Sequence, residues 1–128
     1  MKYFINWTNH SFDEWSEEQK EQIKTLFPFD TVKKNKKIQI VDFLFPKIVG
    51  KPDEIDEILS SFFIFLVEKN IPLKNVQAVL IEGEATRTAG IAYVLQQQLD
   101  ISCFSPFREH QFIKFLRYQF PSGFKVIV

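Results

Sequence analysis

The stretch AVLIEGEATRT, residues Ala78 to Thr88, decides the fold of this chain. A short apolar run ends at Glu82-Gly83-Glu84, and Thr86-Arg87-Thr88 then lead into a segment with helical spacing. This order is typical of a buried strand that turns over a glycine into the N-terminus of a helix. In an open parallel sheet such a turn can bind a small anion, because free backbone N–H groups and the helix dipole point at it. The arginine and the two threonines add donors suited to a phosphate.

Strand patterns and helix patterns alternate on both sides of this stretch. The predicted strands are Tyr3–Trp7, Ile38–Leu44, Val76–Ile81 and Ile101–Phe104. The predicted helices run from the capping pair Ser16 and Gln19 to about Phe27, from Pro52-Asp53-Glu54 to about residue 70, and from Thr86 to Gln98. Phe112–Phe120 and Phe124–Val128 flank the turn Pro121-Ser122-Gly123 and are predicted to form a C-terminal β-hairpin. The expected fold is α/β: a Rossmann-like, open, mostly parallel sheet with helices on both faces.

Composition narrows the class of protein. The 128 residues suit a single domain, residues 1–128, and the 16 basic and 16 acidic residues cancel. This balance argues against broad binding to DNA or to an anionic membrane. The most apolar stretch, Leu59 to Val67, is too short to span a bilayer, and the N-terminus does not have the pattern of a signal peptide. A lone Cys103 excludes an internal disulfide and favours a reducing, cytoplasmic location.

The phenylalanine content points to an additional contact surface. Fifteen phenylalanines are many for this length, and the Phe-rich helix at residues 53–70 is apolar nearly all round in its last two turns. Such a helix needs cover from the sheet on one side and from something else on the other. The chain is therefore expected to form a homodimer.

Three loops are expected to meet at the carboxyl ends of the strands, where open parallel sheets bind ligands. They are Thr8–Ser11, Gly83–Thr88 and Ser105–Glu109. Each contains polar groups that a plain connector does not need. No GxGxxG or Walker loop is present, so no dinucleotide or nucleotide cofactor is indicated. Two histidines and one cysteine without an acidic cluster make a metal site unexpected.

Each loop also has a purely structural interpretation. Gly83–Thr88 can be a glycine turn with a threonine N-cap, and His10 can lie in a solvated turn. In the functional interpretation His10 donates a proton or contacts a phosphate, because histidine titrates near neutrality. Arg108 either forms a surface ion pair with Glu109 or reaches into the crevice to bind a phosphate. Cys103 has no evident base partner and is expected to be a buried thiol.

Several pieces of the chain together resemble a known family. They are Phe4–His10, Trp15–Gln19, Val79–Thr88, Ser105–Glu109 and Lys114–Tyr118. These segments are similar to those of small CRISPR-associated proteins with a Rossmann-like, CARF-like fold. Members of this group are similar to ring nucleases, which degrade the cyclic oligoadenylate messengers of type III CRISPR defence. The group tends to have Gln-Gly-Glu or Gln-Gly-Asp where this chain has Glu82-Gly83-Glu84, and a second carboxylate repels a polyanion unless it faces away or pairs with an arginine.

The resemblance implies a metal-independent ring nuclease that acts on a cyclic oligoadenylate such as cyclic tetra-adenylate. A homodimer would hold the ring across its two-fold axis, and a ribose 2′-hydroxyl would attack the adjacent phosphorus to give a 2′,3′-cyclic phosphate. On this basis we assign His10 to the leaving-group proton and Arg87 and Arg108 to the phosphate charge. The expected ligand-binding residues are Thr8, Asn9, Gly83, Glu84, Thr86, Thr88 and Ser105. Two alternatives stay open: a non-catalytic nucleotide-sensing or dimerisation module, and an interaction protein with an empty crevice.

Overall fold

A mixed five-stranded sheet forms the centre of the protein. The computed structural model describes residues 1–26, 38–45, 55–108 and 112–120. The strands are β1 (Lys2–Trp7), β2 (Ile38–Asp42), β3 (Val76–Ile81), β4 (Ser102–Arg108) and β5 (Phe112–Arg117). Their order across the sheet is β2-β1-β3-β4-β5, with the first four parallel and β5 antiparallel to β4. This arrangement is α/β and compatible with a Rossmann-like fold.

Three α-helices accompany the sheet in the described residues. They are α1 (Glu17–Leu26), α2 (Ile55–Glu68) and α3 (Ala85–Leu99), with 3₁₀ turns at Phe12–Glu14 and Leu73–Asn75. The predicted capping box opens α1: the Ser16 N–H donates to Gln19 Oε1 at 3.0 Å, and the Gln19 N–H donates to Ser16 Oγ at 3.3 Å. None of the helices in this part of the chain combines the length and the apolar character needed to cross a bilayer.

The core lies in two layers, one on each face of the sheet. Ile5, Val79 and Cys103 belong to a cluster with the buried residues of α2 and α3, whereas Phe4, Leu80 and Phe104 belong to a cluster with Ile23 of α1. The alternation follows from the two-residue period of a strand, which sends neighbouring side chains to opposite faces. Helices therefore cover both faces, as predicted.

The side chain of Gln96 attaches α3 to the sheet. Its Oε1 accepts from the Cys103 N–H and its Nε2 donates to the Tyr118 carbonyl, both at 2.9 Å. Because one amide side chain bonds two backbone groups of the sheet region, the position of α3 along the sheet is fixed. The N-terminus of α3, where the predicted anion site lies, is fixed with it.

The strands and helices predicted within the described residues are present, and the third strand, Val76–Ile81, is confirmed to the residue. Several boundaries differ: β2 ends at Asp42 where Leu44 was predicted, and α3 begins at Ala85 where Thr86 was predicted. The largest difference is in β4. Ser105–Arg108, predicted to be a loop, continues β4, where Ser105 pairs with Leu116 and Pro106 with Phe115. The last pair between β3 and β4 is that of Leu80 with Phe104, so β4 has no β3 partner at Pro106. Proline has no N–H to donate, and on that side none is needed. The strand can therefore pass through a proline that was expected to end it.

The C-terminal hairpin is present as the pair of β4 and β5. In this pair Phe112–Arg117 turns back on β4, whereas the sequence had suggested pairing of this segment with Phe124–Val128. The second predicted arm and its turn at residues 121–123 lie outside the described residues. So do the basic connector Lys33–Lys37, the predicted helix start at Pro52–Glu54 and Glu109.

Candidate functional site

The order of the strands places the candidate crevice between β1 and β3. β1 is flanked by β2 on one side and β3 on the other, so the chain changes direction across the sheet at β1. In parallel sheets the ligand crevice lies outside the carboxyl ends of the strands at such a switch point. Trp7 pairs with Ile81 at these ends, and the Glu82 N–H donates to the Trp7 carbonyl at 3.2 Å. The loops Thr8–Ser11 and Gly83–Thr88 thus leave the sheet side by side, as predicted.

A hydrogen-bond network holds the loop after β1. Asn6 is 1% exposed, and its Nδ2 donates to the His10 carbonyl and to Asp42 Oδ1, both at 2.7 Å. Asp42 Oδ1 also accepts from the Phe12 N–H at 3.0 Å. The buried Thr8 hydroxyl lies 2.9 Å from Asn6 Oδ1 and accepts from the His10 N–H at 3.2 Å. The Thr8 hydroxyl, predicted to contact ligand, is thus used inside the loop.

His10 and Asn9 lie on the outside of this network. Both residues are exposed, and 61% of the His10 side chain is open to solvent. His10 Nδ1 lies 3.4 Å from Glu14 Oε2. The His10 backbone is therefore fixed by hydrogen bonds while its imidazole ring remains accessible to solvent.

The N-terminus of α3 is capped by a carboxylate of the chain itself. Glu84 is the N-cap residue, and its two carboxylate oxygens accept from the N–H groups of Thr86 at 3.1 Å and Arg87 at 3.0 Å. Arg87 Nη1 also donates to Glu84 Oε2 at 3.0 Å. The expectation of a threonine N-cap is wrong, because the helix begins one residue earlier than predicted and places Glu84 at the cap. The donors expected to bind phosphate are thus engaged by Glu84.

The threonines of this turn differ in their accessibility. Thr86 is exposed. Thr88 is 4% exposed, and its hydroxyl donates to the Ala85 carbonyl at 3.0 Å. Thr88 therefore stabilises the first turn of α3, whereas Thr86 lies at the protein surface.

Phe45 connects the two loops. Its N–H donates to the Thr8 carbonyl at 3.2 Å, and its ring packs against Gly83 so closely that a Cβ there would lie 2.5 Å from Cε1. Phe45 is 1% exposed and packs on the buried Trp7 ring, with centroids 5.5 Å apart. Gly83 was predicted to bind ligand through its backbone. In the structure, its lack of a side chain makes room for the Phe45 ring.

The remaining predicted residues lie on β4. Ser105 is half-buried opposite Leu116. Arg108 is the last residue of β4, and its side chain is outside the described part of the structure. The predicted third loop at 105–109 is therefore wrong for residues 105–108, because the ladder with β5 extends the strand.

Four residues of this region were not predicted from the sequence: Asn6, Glu14, Asp42 and Phe45. Asn6 could have been noticed, since a polar residue buried at the end of an apolar strand needs a hydrogen-bond partner. Its partner Asp42 lies 36 residues away and could not be identified by spacing. Cys103 is buried as predicted; burial raises the pKa of its thiol, and Sγ lies 3.6 Å from the Ile101 carbonyl oxygen.

The Glu84 cap makes stability depend on pH. The backbone N–H groups of Arg87 and Thr86 and the Arg87 guanidinium hold the pKa of Glu84 at about 2, below its usual 4.5. Because the folded-state pKa is the lower one, the contribution of ionised Glu84 to stability is complete above pH 4.5 and is lost as the pH falls towards about 2.

Glu84→Gln is expected to lower the urea midpoint at neutral pH, and the difference in midpoint from the wild type should narrow in acid. Glu68→Gln, at an exposed position of α2, is the control, and a gap independent of pH would contradict the charge effect.

The described residues contain no group of three or more histidine, cysteine, aspartate or glutamate side chains that could hold a metal ion. Comparison of the chain with protein-family models, with curated proteins and with solved structures gives no match.

Proposed function

We propose that this protein is a metal-independent ring nuclease that degrades a cyclic oligoadenylate on a Rossmann-like, CARF-like fold. The observation that carries the proposal is the convergence of two polar loops at the switch point between β1 and β3. One loop carries an accessible His10, and the other carries Arg87, whose side chain is 13% exposed and ion-paired with Glu84. The resemblance of both loops to CRISPR-associated proteins supports the choice of a cyclic oligoadenylate as ligand.

In the proposed reaction a bond forms between a ribose 2′-oxygen and the adjacent phosphorus, and the bond from phosphorus to the 5′-oxygen breaks. The 2′-hydroxyl proton passes to water, and His10 supplies the proton that the 5′-oxygen takes up. Arg87 stabilises the charge on the phosphorane, and Arg108 is the second cation assigned to it. Asn9, Thr86 and the Gly83 backbone are assigned to ligand contacts.

Glu84 gives this site a particular requirement. Its carboxylate accepts from the Thr86 and Arg87 N–H groups and from the Arg87 guanidinium, the donors that a ligand phosphate would need. A phosphate can take over these donors only if the Glu84 side chain rotates out, and 43% of that side chain is already exposed. In this proposal the ligand replaces one anion with another at the N-terminus of α3.

The contact between Glu84 and Arg87 also favours a second candidate function, that of a non-catalytic sensing module. If Glu84 stays in place, Arg87 remains neutralised and a bound ring is held by the other polar groups of the crevice. Such a protein would bind the messenger and leave it intact.

We also propose that the protein is a cytoplasmic homodimer, since the messenger of an intracellular defence system is encountered there. Ile64 and Val67 support a dimer through α2, because their exposed fractions of 58% and 75% leave an apolar strip uncovered. Light scattering should then give about twice the 15.1 kDa mass of the chain.

Incubation with cyclic tetra-adenylate in EDTA tests the function. Linear products that end in a 2′,3′-cyclic phosphate, resolved by chromatography, are the expected result. An intact ring with tight binding, measured by calorimetry, would identify the sensor instead. Absence of both cleavage and binding at micromolar protein would reject both functions.

A further inference from the structure

We propose that Glu14 is a positioning residue for His10, with the Asn6–Asp42 pair holding both in place. The inference deepens the proposed function and rests on it. His10 Nδ1 lies 3.4 Å from Glu14 Oε2. An ionised carboxylate only accepts hydrogen bonds, so in this contact Nδ1 carries the hydrogen. Nε2 is then the ring atom that exchanges a proton with the ligand.

This arrangement matches the proton that the proposed reaction needs. A protonated imidazole donates from Nε2 to the leaving 5′-oxygen and becomes the neutral tautomer with hydrogen on Nδ1. That tautomer is the one Glu14 stabilises, so the ring does not need to reorient after the transfer. Without Glu14, the neutral ring would be free to place its hydrogen on Nε2.

The backbone beneath the pair is anchored on both sides. Asn6 Nδ2 donates to the His10 carbonyl at 2.7 Å, and the Phe12 N–H donates to Asp42 Oδ1 at 3.0 Å. Since Asn6 also donates to Asp42 at 2.7 Å, one part-buried contact between the ends of β1 and β2 fixes the segment. The 3₁₀ turn that follows, with the Glu14 N–H donating to the Ser11 carbonyl at 3.0 Å, sets Glu14 relative to His10.

Stability does not explain the pair. The side chains of His10 and Glu14 are 61% and 63% exposed, and exposed ion pairs contribute little to folding. The network below them is formed by the His10 backbone and other residues, so it does not need either side chain. Loss of Glu14 should therefore change the state of the imidazole without unfolding the loop.

The test combines ¹⁵N NMR of labelled histidine with kinetics on cyclic tetra-adenylate. At a pH where the ring is neutral, wild-type His10, assigned by its loss in His10→Ala, should carry its hydrogen mainly on Nδ1. Glu14→Ala should shift it towards Nε2, and Glu14→Gln, whose amide oxygen can still accept, should preserve the wild-type tautomer. In Glu14→Ala kcat should fall about fivefold with KM unchanged, as for the loss of an exposed pair, and Glu14→Gln should restore part of it. Glu17→Gln, an 88% exposed carboxyl on α1, is the control.

The outcomes separate the two proposals. Turnover by the wild type with the same His10 tautomer in wild type and Glu14→Ala would overturn the role of Glu14 alone. The expected tautomers without any turnover by the wild type would overturn the proposed nuclease and with it the catalytic purpose of the pair. Asp42→Ala should weaken the tautomer preference, whereas Asp42→Asn keeps the acceptor and should not; equal preference in both variants would remove Asp42 from the mechanism.

Discussion

Gly83→Ala is expected to destabilise the protein by about 1–3 kcal/mol, the usual cost of forcing one extra carbon into a packed core. The added Cβ would lie 2.5 Å from Phe45 Cε1 and 3.0 Å from Cγ, well inside contact distance. The ring cannot move away easily, because Phe45 is 1% exposed and packs on the buried Trp7. Urea denaturation followed by tryptophan fluorescence measures the loss.

A double-mutant cycle identifies the cause of that loss. Phe45→Leu removes the aromatic ring and creates its own cost, but it also makes room for a methyl group at position 83. In the Phe45→Leu background Gly83→Ala should therefore cost less than in the wild type, with a favourable coupling of more than about 0.5 kcal/mol. Strict additivity would mean that the contact with Phe45 is not what requires glycine.

At Gly83 the sequence predicts the local structure but not the contact that requires a glycine. The strand-glycine-helix pattern correctly predicted β3, the turn and α3, since these depend on local periodicity and turn chemistry. The reason for the glycine depends on Phe45, a residue 38 positions earlier whose approach follows from the pairing of β2 with β1. The spacing of residue types along the chain gives no indication that Phe45 contacts Gly83.

The predictions of a threonine N-cap and of a loop at residues 105–108 were wrong for related reasons. Glutamate is an uncommon N-cap, so propensity favoured a threonine, yet the geometry of the turn places Glu84 where it accepts from two backbone N–H groups at the start of α3. Pro106 is normally a strand breaker, but β5 pairs with β4 on one side while β3 has already ended on the other. In both cases a tertiary arrangement decides against a local preference.

The position of Glu84 also changes which groups of the predicted anion site are open to a ligand. As a sequence pattern it was a cradle of open donors with Arg87 at its edge. In the structure those donors already hold a carboxylate, which stabilises the helix and screens the arginine. In the proposed function, ligand affinity at this site depends on how much more strongly the ligand phosphate binds these donors than the Glu84 carboxylate does.

Removing His10 or Arg87, two of the three groups assigned to the reaction, should have the largest effects, and the two effects should differ in kind. His10→Ala is expected to lower kcat on cyclic tetra-adenylate by about 10²–10⁴-fold, the usual contribution of a general acid, with binding nearly unchanged. Arg87→Ala should weaken binding as well as turnover, because the guanidinium would contact the phosphate in both the ground state and the transition state. Single-turnover kinetics together with calorimetry on intact ligand measure the two effects separately.

Controls make this contrast interpretable. Lys74→Ala removes an exposed cation from the 3₁₀ turn that precedes β3, at the end of the sheet opposite the crevice, and should leave both quantities unchanged. Arg87→Ala also removes the partner of Glu84, so its urea midpoint must be measured to separate a loss of folding from a loss of binding. Equal turnover in His10→Ala and the wild type would remove His10 from the mechanism. Unchanged binding in a folded Arg87→Ala variant would show that no phosphate displaces Glu84, and the ligand site would then have to lie away from the N-terminus of α3.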